Sequence, residues 1–540
     1  MDPGHGRGRH PVARGGRGAW DGICALRTFP RHAPPGAAPE GRRPRRAGQP
    51  SESGPMKGIR NLGRLKVLTD EQVDRIHEAS LAVLQRTGVR FDSEDARARL
   101  LAVGATQHPS RRNVVTFEQS VMEEAIRKIP RFGTYCARDP HNDIAFDGEH
   151  TFAHSLGGNP AMLDMETGEI RGSTLADVEQ STRLMDALEN CHGISSLVVA
   201  TDVPAPIHAI KTLEAMMKNT TKCLSGYALR AEEVDIQAQM GACVAGGLEE
   251  LRKRPPFALY GSPSSPLTYD GHVCDVVIRG AEYGIPVDIV PCPITGGTAP
   301  LPLAGGLAQQ NAELLAGVIL IQTVDPSLPV QYSGRLSVLD LRSGRNLWGV
   351  PELGLVSAAT VQIAHRYHMT ADVYGMTCDA AGWDMQNGVE RMMTALLPAL
   401  AGADNLSGIG GAWENAASLE MLIIDDEIYS DVFRIVRGID VDEDRLAADI
   451  IDKVGPMGTF LAQRHTMKYL REGEVRQPAI WDKRTRDKAR AEGIRPIQDV
   501  AREKARRILR EHIPTPLDRD VDQDLARVVA EGSRRLLAAA

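Results

Sequence analysis

Residues 332–386 hold the densest group of side chains able to bind or transform a charged ligand. Two strand-to-helix connections are expected here, at 342–352 and 377–386, and both exceed the two to six residues usual for such loops. The first offers Arg342 and Arg345, whose guanidinium groups can bind a carboxylate bidentately, as can the nearby Arg335. The second offers Asp379 and Trp383. We therefore expect both loops to take part in ligand binding or catalysis.

The elements that position these loops follow a repeat that begins near residue 190. Apolar runs alternate there with helical patterns such as QQNAELLAGVILIQTV, which predicts a parallel sheet, because each crossover must return the chain to the same end of the sheet. The runs are SSLVVA, KCLSGYA, FALYGSP, PVDIVPCP, PVQYSG, TADVYGMT and ADNLSGIGG. Seven or eight such units predict a closed (β/α)8 TIM barrel of the α/β class rather than an open doubly wound sheet.

The predicted barrel core spans residues 191–422. A helical and small β subdomain at 56–190 precedes it, with Thr69 and Gln72 placed to form a capping box, and a helical extension at 423–540 follows it. Residues 1–55 contain eleven Gly, nine Pro and ten Arg and almost no apolar periodicity. They are interpreted either as a disordered basic arm or as a start codon assigned too early, with Met56 as the first residue.

Charge and cysteine content exclude several classes of protein. The net charge is −7, and residues 1–55 carry ten Arg and four acids, so the rest of the chain is at −13 and nucleic acid is not the expected partner. No apolar run reaches the roughly 18 residues of a membrane span. Eight cysteines form no CxxC pair and no HExxH motif occurs, so we predict no metal site and a reducing cytoplasm.

Aromatic residues are few but fall where a barrel would use them. Binding and catalytic residues of TIM barrels lie at the C-terminal ends of the strands. Only 4% of the chain is aromatic, yet six Tyr and Trp residues lie at or near these ends: Tyr227, Tyr260, Tyr332, Trp348, Trp383 and Trp413. His154, in the glycine-containing loop HSLGGNP, is a further candidate. Any single aromatic residue at a strand end is as often a packing residue, and that alternative stays open.

Four segments carry a resemblance to a known family. They are LTDEQVDRIHEASLAVLQRTGVRF, TGGTAPLPLAGGLAQQNAELLAGVILIQ, DLRSGRNLWGVPELGLVSAA and WDKRTRDKARAEG. Through them, residues 56–515 resemble the trimethylamine methyltransferase family. This is a family of corrinoid-protein methyltransferases with pyrrolysine-containing trimethylamine enzymes and pyrrolysine-free relatives that act on quaternary amines such as glycine betaine.

The resemblance implies methyl transfer from a methylated amine to Co(I) of a corrinoid that a separate small protein carries. No D-x-H-x-x-G stretch is present, so we do not expect this chain to hold the corrinoid permanently. The chain also lacks pyrrolysine. A quaternary amine, which departs as a neutral tertiary amine, is therefore the favoured donor, and trimethylamine is the less favoured one.

The same resemblance assigns expected roles to particular residues. Aromatic faces hold a permanent cation, so the six aromatic residues and His154 are candidates for substrate binding. Asp379 and Glu352 are the candidate catalytic acids, although Glu352 at a helix start would also complement the helix dipole. Arg335, Arg342 and Arg345 are candidates for a substrate carboxylate. The corrinoid is expected to meet Gly296, Gly297, Thr298 and Asn346, with Gln309, Asn311 and Glu313 supporting that loop.

Two other classes of function remain open. One is a non-catalytic barrel that binds methylamines or a corrinoid protein. The other is a barrel lyase or hydrolase, which would normally need a metal cluster or a Lys or His base at the strand ends. Independently of the function, we expect the chain to form a homo-oligomer.

Overall fold

The computed structural model describes residues 58–540 except 62, 64 and 414. The predicted extension at 1–55 lies outside the described residues. Eight parallel strands form a closed barrel, since the last strand pairs with the first and Leu406 lies in register with Ala153. The predicted (β/α)8 barrel is therefore confirmed.

The barrel elements alternate along the chain. The strands are β1 His150–Ser155, β2 Gly193–Ser195, β3 Cys223–Gly226, β4 Phe257–Gly261, β5 Val287–Ile289, β6 Tyr332–Gly334, β7 Ala371–Tyr374 and β8 Asn405–Ile409. The helices that follow them are α1 Leu175–Ala187, α2 His208–Asn219, α3 Ala231–Ala245, α4 Gly271–Glu282, α5 Leu303–Gln322, α6 Pro351–Arg366, α7 Met385–Ala401 and α8 Leu419–Val436. A short helix, Leu248–Lys253, precedes β4.

The barrel begins earlier and ends later than the predicted core at 191–422. Strand β1 and helix α1 lie inside the predicted N-terminal subdomain, and α8 continues past residue 422. The sequence of β1, HTFAHS, mixes polar with apolar residues, which is not the pattern of a strand buried on both faces. Its His154 and Ser155 line the central cavity of the barrel, which explains the polar residues.

The N-terminal region covers one side of the barrel. Its helices are Asp70–Arg86, Glu94–Ala102 and Gln119–Lys128, and its strands Val89–Phe91, Thr106–Gln107 and Val114–Thr116 form a sheet with Thr268–Tyr269. The predicted capping box of Thr69 and Gln72 is present. The first of these helices packs against α5, which is apolar on nearly all sides and is buried between this helix and the barrel.

The C-terminal region consists of helices. They are Glu443–Leu446, Ala448–Val454, Arg464–Glu472, Arg486–Glu492, Ile497–Glu511 and Arg519–Ala538. Helix Ile497–Glu511 packs on α8 and α1, and helix Arg519–Ala538 packs on α2 and α3. Among the described residues, no helix is both long and apolar enough to cross a membrane.

Short strands complete the two ends of the barrel. Ile294–Thr295, Ser337–Leu339 and Asn346–Leu347 form one three-stranded sheet, which we call the rim sheet, and Ala161–Leu163, Ile170–Gly172 and Ala416–Ala417 form another. Strand Thr134–Tyr135 pairs with Ile144–Ala145, and Ile59–Arg60 pairs antiparallel with β1.

Candidate active site at the mouth of the barrel

A polar cavity of about 240 Å³ lies inside the barrel at its mouth. Its lining comes from alternate residues of the strands, whose intervening residues pack outward against the helices. The polar lining residues within strands are His154, Ser155, Ser195, Ser225, Asp288, Ser333, Asp372, Asn405 and Ser407. Two further cavities, of about 290 and 530 Å³, share lining residues with this one, so the three form one mouth.

Arg335 and Asp372 form a buried ion pair in this cavity. The Arg335 guanidinium also donates to the main-chain oxygen of Asp372, at 2.7 Å, and to the hydroxyl of Ser407, at 3.2 Å. Ser407 in turn donates to the second Asp372 oxygen, at 2.8 Å. Burial lowers the pKa of Arg335, but Asp372, together with Tyr374 and Cys292, outweighs it and the net pKa is raised. The guanidinium is therefore held as a cation in a fixed orientation.

Asp288 is the second carboxylate of the cavity. It accepts hydrogen bonds from the hydroxyl of Tyr135 and from the main-chain and side-chain nitrogens of Gln331. Burial raises its pKa to about 7, the nearby Asp372 carboxylate adds to this rise, and the hydrogen bonds only partly oppose it. Asp288 therefore changes its charge near neutral pH.

Two pairs of aromatic rings line the mouth. Tyr260 and Tyr227 lie at the ends of adjacent strands with ring centroids 6.3 Å apart. Trp348 and Tyr374 meet edge to face with centroids 5.2 Å apart, and the Arg335 guanidinium carbon lies 5.0 Å from the Tyr374 ring centroid. Tyr260 and Tyr374 both line the central cavity. Together the rings supply the aromatic faces that a cation without hydrogen-bond donors requires.

The two histidines of the mouth are not free to act as strong bases. His154 contacts the main-chain oxygen of Ser155 at 2.8 Å and the hydroxyl of Ser225 at 3.2 Å. Burial lowers the pKa of His154, so its ring is neutral at neutral pH. His208 hydrogen-bonds the Tyr227 hydroxyl, and burial lowers its pKa as well. Both histidines therefore act as neutral hydrogen-bonding groups.

Of the residues predicted to bind substrate, the structure brings His154, Tyr227, Tyr260 and Trp348 to the mouth. Tyr332 requires a correction. It is the first residue of β6 and points outward, where it is fully buried, donates to Asn311 at 3.0 Å and stacks on Tyr367. The inward-facing residue of this strand is Ser333. Tyr332 is therefore a core residue.

The other predicted binding residues lie away from the cavity lining. Trp383 and Trp413 pack edge to face against each other, with centroids 5.2 Å apart. Arg342 and Arg345 are exposed in the turn between two strands of the rim sheet. The guanidinium that does line the cavity belongs to Arg335. Of the three arginines considered for a substrate carboxylate, Arg335 is therefore the one that lines the cavity.

The two predicted catalytic acids have different surroundings. Asp379 accepts the main-chain N–H of Trp348, at 2.9 and 3.0 Å, and that of Gly349, at 2.7 Å. It thus holds the chain that carries Trp348. Glu352 is exposed in the first turn of α6, where it complements the helix dipole, and it does not line the three cavities of the mouth.

The predicted corrinoid-binding loop is a closed turn. The N–H groups of Gly297 and Thr298 donate to the oxygen of Ile294, at 3.0 and 2.9 Å, and that of Gly296 donates to Ala299 at 2.9 Å. These amides are therefore not available to a ligand, which corrects the expected backbone contacts. The expected support from α5 is present, since the Gln309 amide donates to Thr298 at 2.8 Å.

The other residues expected near the corrinoid differ in their hydrogen bonds. Asn311 contacts Ser80, Tyr332 and Tyr367 away from the loop, whereas Glu313 accepts from Gln309. The side-chain oxygen of Asn346 is buried without a hydrogen-bond partner. Among the residues that the structure describes, no group of three or more His, Cys, Asp or Glu is arranged to hold a metal ion.

Three interior residues of the site, Asp288, Asp372 and Ser407, were absent from the sequence-based candidates. Each interrupts an apolar run, in PVDIVPCP, TADVYGMT and ADNLSGIGG. A strand of a parallel barrel is apolar toward its helices, so a single polar residue within such a run marks the interior face. That signal was available in the sequence.

Comparisons with known proteins show that this chain is similar to methyltransferases. A family model described as trimethylamine methyltransferase matches residues 38–536. The trimethylamine methyltransferase of Desulfitobacterium hafniense is 30% identical over 465 residues, covering 86% of this chain and 93% of the relative. The glycine betaine methyltransferase of the same species is 30% identical over 478 residues, covering 88% and 98%. The solved monomethylamine methyltransferase of Methanosarcina barkeri has a TM-score of 0.49 and 12% identity, covering 84% and 90%.

Proposed function

Because the chain belongs to the trimethylamine methyltransferase family and is a methyltransferase, we propose that it moves a methyl group from a quaternary amine, such as a betaine, to Co(I) of a corrinoid on a separate small protein. The observation that carries this proposal is the combination of Tyr260 and Tyr374 with a fixed guanidinium in one cavity. Trimethylamine is the less favoured donor.

The charges of the cavity favour a cationic or zwitterionic substrate. Arg335 and Asp372 cancel each other, and Asp288 adds a partial negative charge near neutral pH. A substrate with a net negative charge would find no excess of positive charge there. A betaine offers a quaternary ammonium group for the aromatic faces, and its carboxylate would lie near the Arg335 cation, whose terminal nitrogens already donate within the protein.

The bond changes need no proton from the protein. When the methyl carbon is attacked, the C–N bond breaks, its electron pair stays on nitrogen, and the tertiary amine leaves neutral. The residues therefore have to bind and orient the cation and exclude water, which Tyr260, Tyr374 and Trp348 do by lining the mouth. A corrinoid in its Co(I) state supplies the nucleophile.

The rim sheet suits the approach of a large, flat group. Leu301 and Leu341 are 51% and 61% exposed, and both lie beside Gly296. Asn346 adds a buried oxygen without a hydrogen-bond partner. We assign to these residues an apolar contact with the corrinoid or with its carrier protein, in place of the expected backbone hydrogen bonds. Arg342 and Arg345 on the same sheet would then contact the carrier protein.

We also propose a cellular location and binding partners for this chain. Seven cysteines in the described part of the chain are all free, which suits a reducing compartment such as the cytoplasm. The proposed partners are a small corrinoid protein, a methylated amine and further copies of this chain.

The proposal is tested by incubating the full chain with a Co(I) corrinoid and a panel of glycine betaine, carnitine and trimethylamine. Methyl transfer is followed through the absorbance of the corrinoid. We expect transfer from at least one quaternary amine. Transfer from trimethylamine alone would overturn the proposed donor class. Binding of an amine with no transfer from any donor would favour the non-catalytic alternative, and neither binding nor transfer would favour a lyase or hydrolase.

A further inference from the structure

Residues 439–475, which we call the arm, expose more large apolar side chains per residue than the rest of the described chain. Ten large apolar side chains in these 37 residues are at least 42% exposed, and only Tyr469 is a buried apolar residue. The most exposed are Ile439, Val441, Met457 and Leu461, at 72–105%. A segment this rich in exposed large apolar side chains is typical of an interaction site.

The arm is nevertheless a fixed part of the fold. Arg434 near the end of α8 donates to the main-chain oxygens of Gly438, at 2.9 Å, and Glu474, at 3.2 Å, and so holds both ends of the arm together. Arg476 donates to the main-chain oxygen of Glu427 in α8, at 2.9 Å. Ordering each residue costs about 1–2 kcal/mol of backbone entropy. One buried tyrosine does not offset that cost, so the arm needs a partner surface.

Both ends of the arm are anchored on α8 at the end of the barrel away from the mouth. Helix α8 starts near the mouth and runs back to the end of the barrel where the strands begin. Near the end of α8, Phe433 lies beside His192, which immediately precedes β2. The arm leaves α8 at this end, opposite to the mouth. The arm is therefore rooted away from the mouth, where a protein that delivers cobalt is proposed to bind.

The charges of the arm are segregated. Residues 439–452 contain six acids and one base, whereas residues 453–475 contain four bases and two acids, Glu472 and Glu474, both in the last four residues. Among the described residues, three acids of the first half and three bases of the second half form no ion pair: Glu443, Asp449, Asp452, Lys453, Arg464 and Arg471. An antiparallel pairing of two arms would place each acidic half against a basic half.

We propose that the arm forms a two-fold symmetric dimer interface with the arm of a second copy of this chain. A two-fold interface requires a self-complementary surface, which the segregated charges provide. A standard interface takes roughly 20–30 residues from each partner, and the arm has enough. The exposed apolar side chains form the centre of the interface, and the unpaired charges set the antiparallel orientation.

The first test is the mass of the full chain in solution at micromolar concentration, measured by sedimentation velocity. We expect a dimer for the wild type. We expect a monomer for the double variant Met457→Asp/Leu461→Asp, and a dimer for the control Ile513→Asp, whose side chain is 81% exposed outside the arm. A monomeric wild type, or a double variant that remains dimeric, would overturn the proposal.

A charge-exchange experiment identifies the partner surface. The variant Arg464→Glu/Arg471→Glu and the variant Asp449→Lys/Asp452→Lys each place like charges opposite one another in a homodimer. Each should dissociate at least tenfold more readily than the wild type, and an equimolar mixture should recover a dimer. If the mixture did not form a dimer, the two arms would not be in contact across the interface. All four positions are exposed, so circular dichroism should show an unchanged fold.

Discussion

Arg335 and Asp372 meet in the barrel interior, where the side chains are 9% and 8% exposed. The guanidinium is tied both to the carboxylate and to the main chain of the same residue. A buried pair of this kind adds little net stability over an apolar pair, but each charge depends on the other. The pair therefore keeps a cation in the cavity that could not remain there alone.

Asp372→Asn tests this dependence. Removing the carboxylate leaves Arg335 as an uncompensated buried charge, which should lower the free energy of unfolding by about 3–5 kcal/mol. Urea denaturation measures the loss. The control Arg342→Met removes an exposed guanidinium and should change stability by less than about 0.5 kcal/mol. Equal, small effects of the two substitutions would show that the pair is not required.

The raised pKa of Asp288 predicts that the stability of the fold depends on pH. Its pKa rises from an ordinary 3.8 to about 7 in the folded state, so between pH 4 and 7 the unfolded chain loses a proton that the folded chain keeps. The contribution of Asp288 to the free energy of unfolding is therefore greatest below pH 4. It falls as the pH rises and becomes constant above pH 7. The fall should be on the order of 4 kcal/mol, from 1.36 kcal/mol per pKa unit.

Asp288→Asn is the matched variant, because it cannot ionise. Denaturation midpoints of the wild type and the variant should be compared from pH 4.5 to 8. The variant should become more stable relative to the wild type as the pH rises to 7. Parallel pH profiles would mean that Asp288 ionises normally.

Tyr260→Ala and Tyr332→Ala should separate binding from packing. Tyr260 is 36% exposed in the mouth, so its loss should weaken binding of a quaternary amine by roughly 2- to 30-fold, equivalent to about 0.5–2 kcal/mol. Tyr332 is fully buried, so its loss should lower stability by about 3–5 kcal/mol. Isothermal titration and denaturation together distinguish the two. Weaker binding by Tyr332→Ala under conditions where it is folded would contradict the core assignment.

The fold was predictable because its pattern is repeated and local. A parallel strand that is apolar on both faces appears in the sequence as a run of apolar residues. Seven of the eight βα units contain such a run. Strand β1 was missed because its polar residues belong to the cavity. The capping box of Thr69 and Gln72 was predictable because it depends on two residues three positions apart.

The site was predictable only in part. Whether a side chain points into the barrel, and how deep it lies there, depends on how the strands close. Tyr260 lies near the end of β4 and Trp348 follows a strand of the rim sheet, and proximity to a strand end was enough to find them. Tyr332 has the same residue type and a similar position, yet a one-residue change in strand phase directs it outward. The Arg335–Asp372 pair joins adjacent strands through residues 37 positions apart, which no local pattern shows.

Asp379 should prove to be a positioning residue and not an acid or base of the reaction. Its two oxygens accept the N–H groups of Trp348 and Gly349, so Asp379→Ala should free Trp348 from the mouth. Loss of a binding contact raises KM and leaves kcat nearly unchanged, so we expect KM to rise roughly tenfold. Steady-state kinetics with the best donor measure both constants. The control Glu352→Ala, at an exposed position, should change neither. A fall in kcat without a change in KM would instead make Asp379 a catalytic residue.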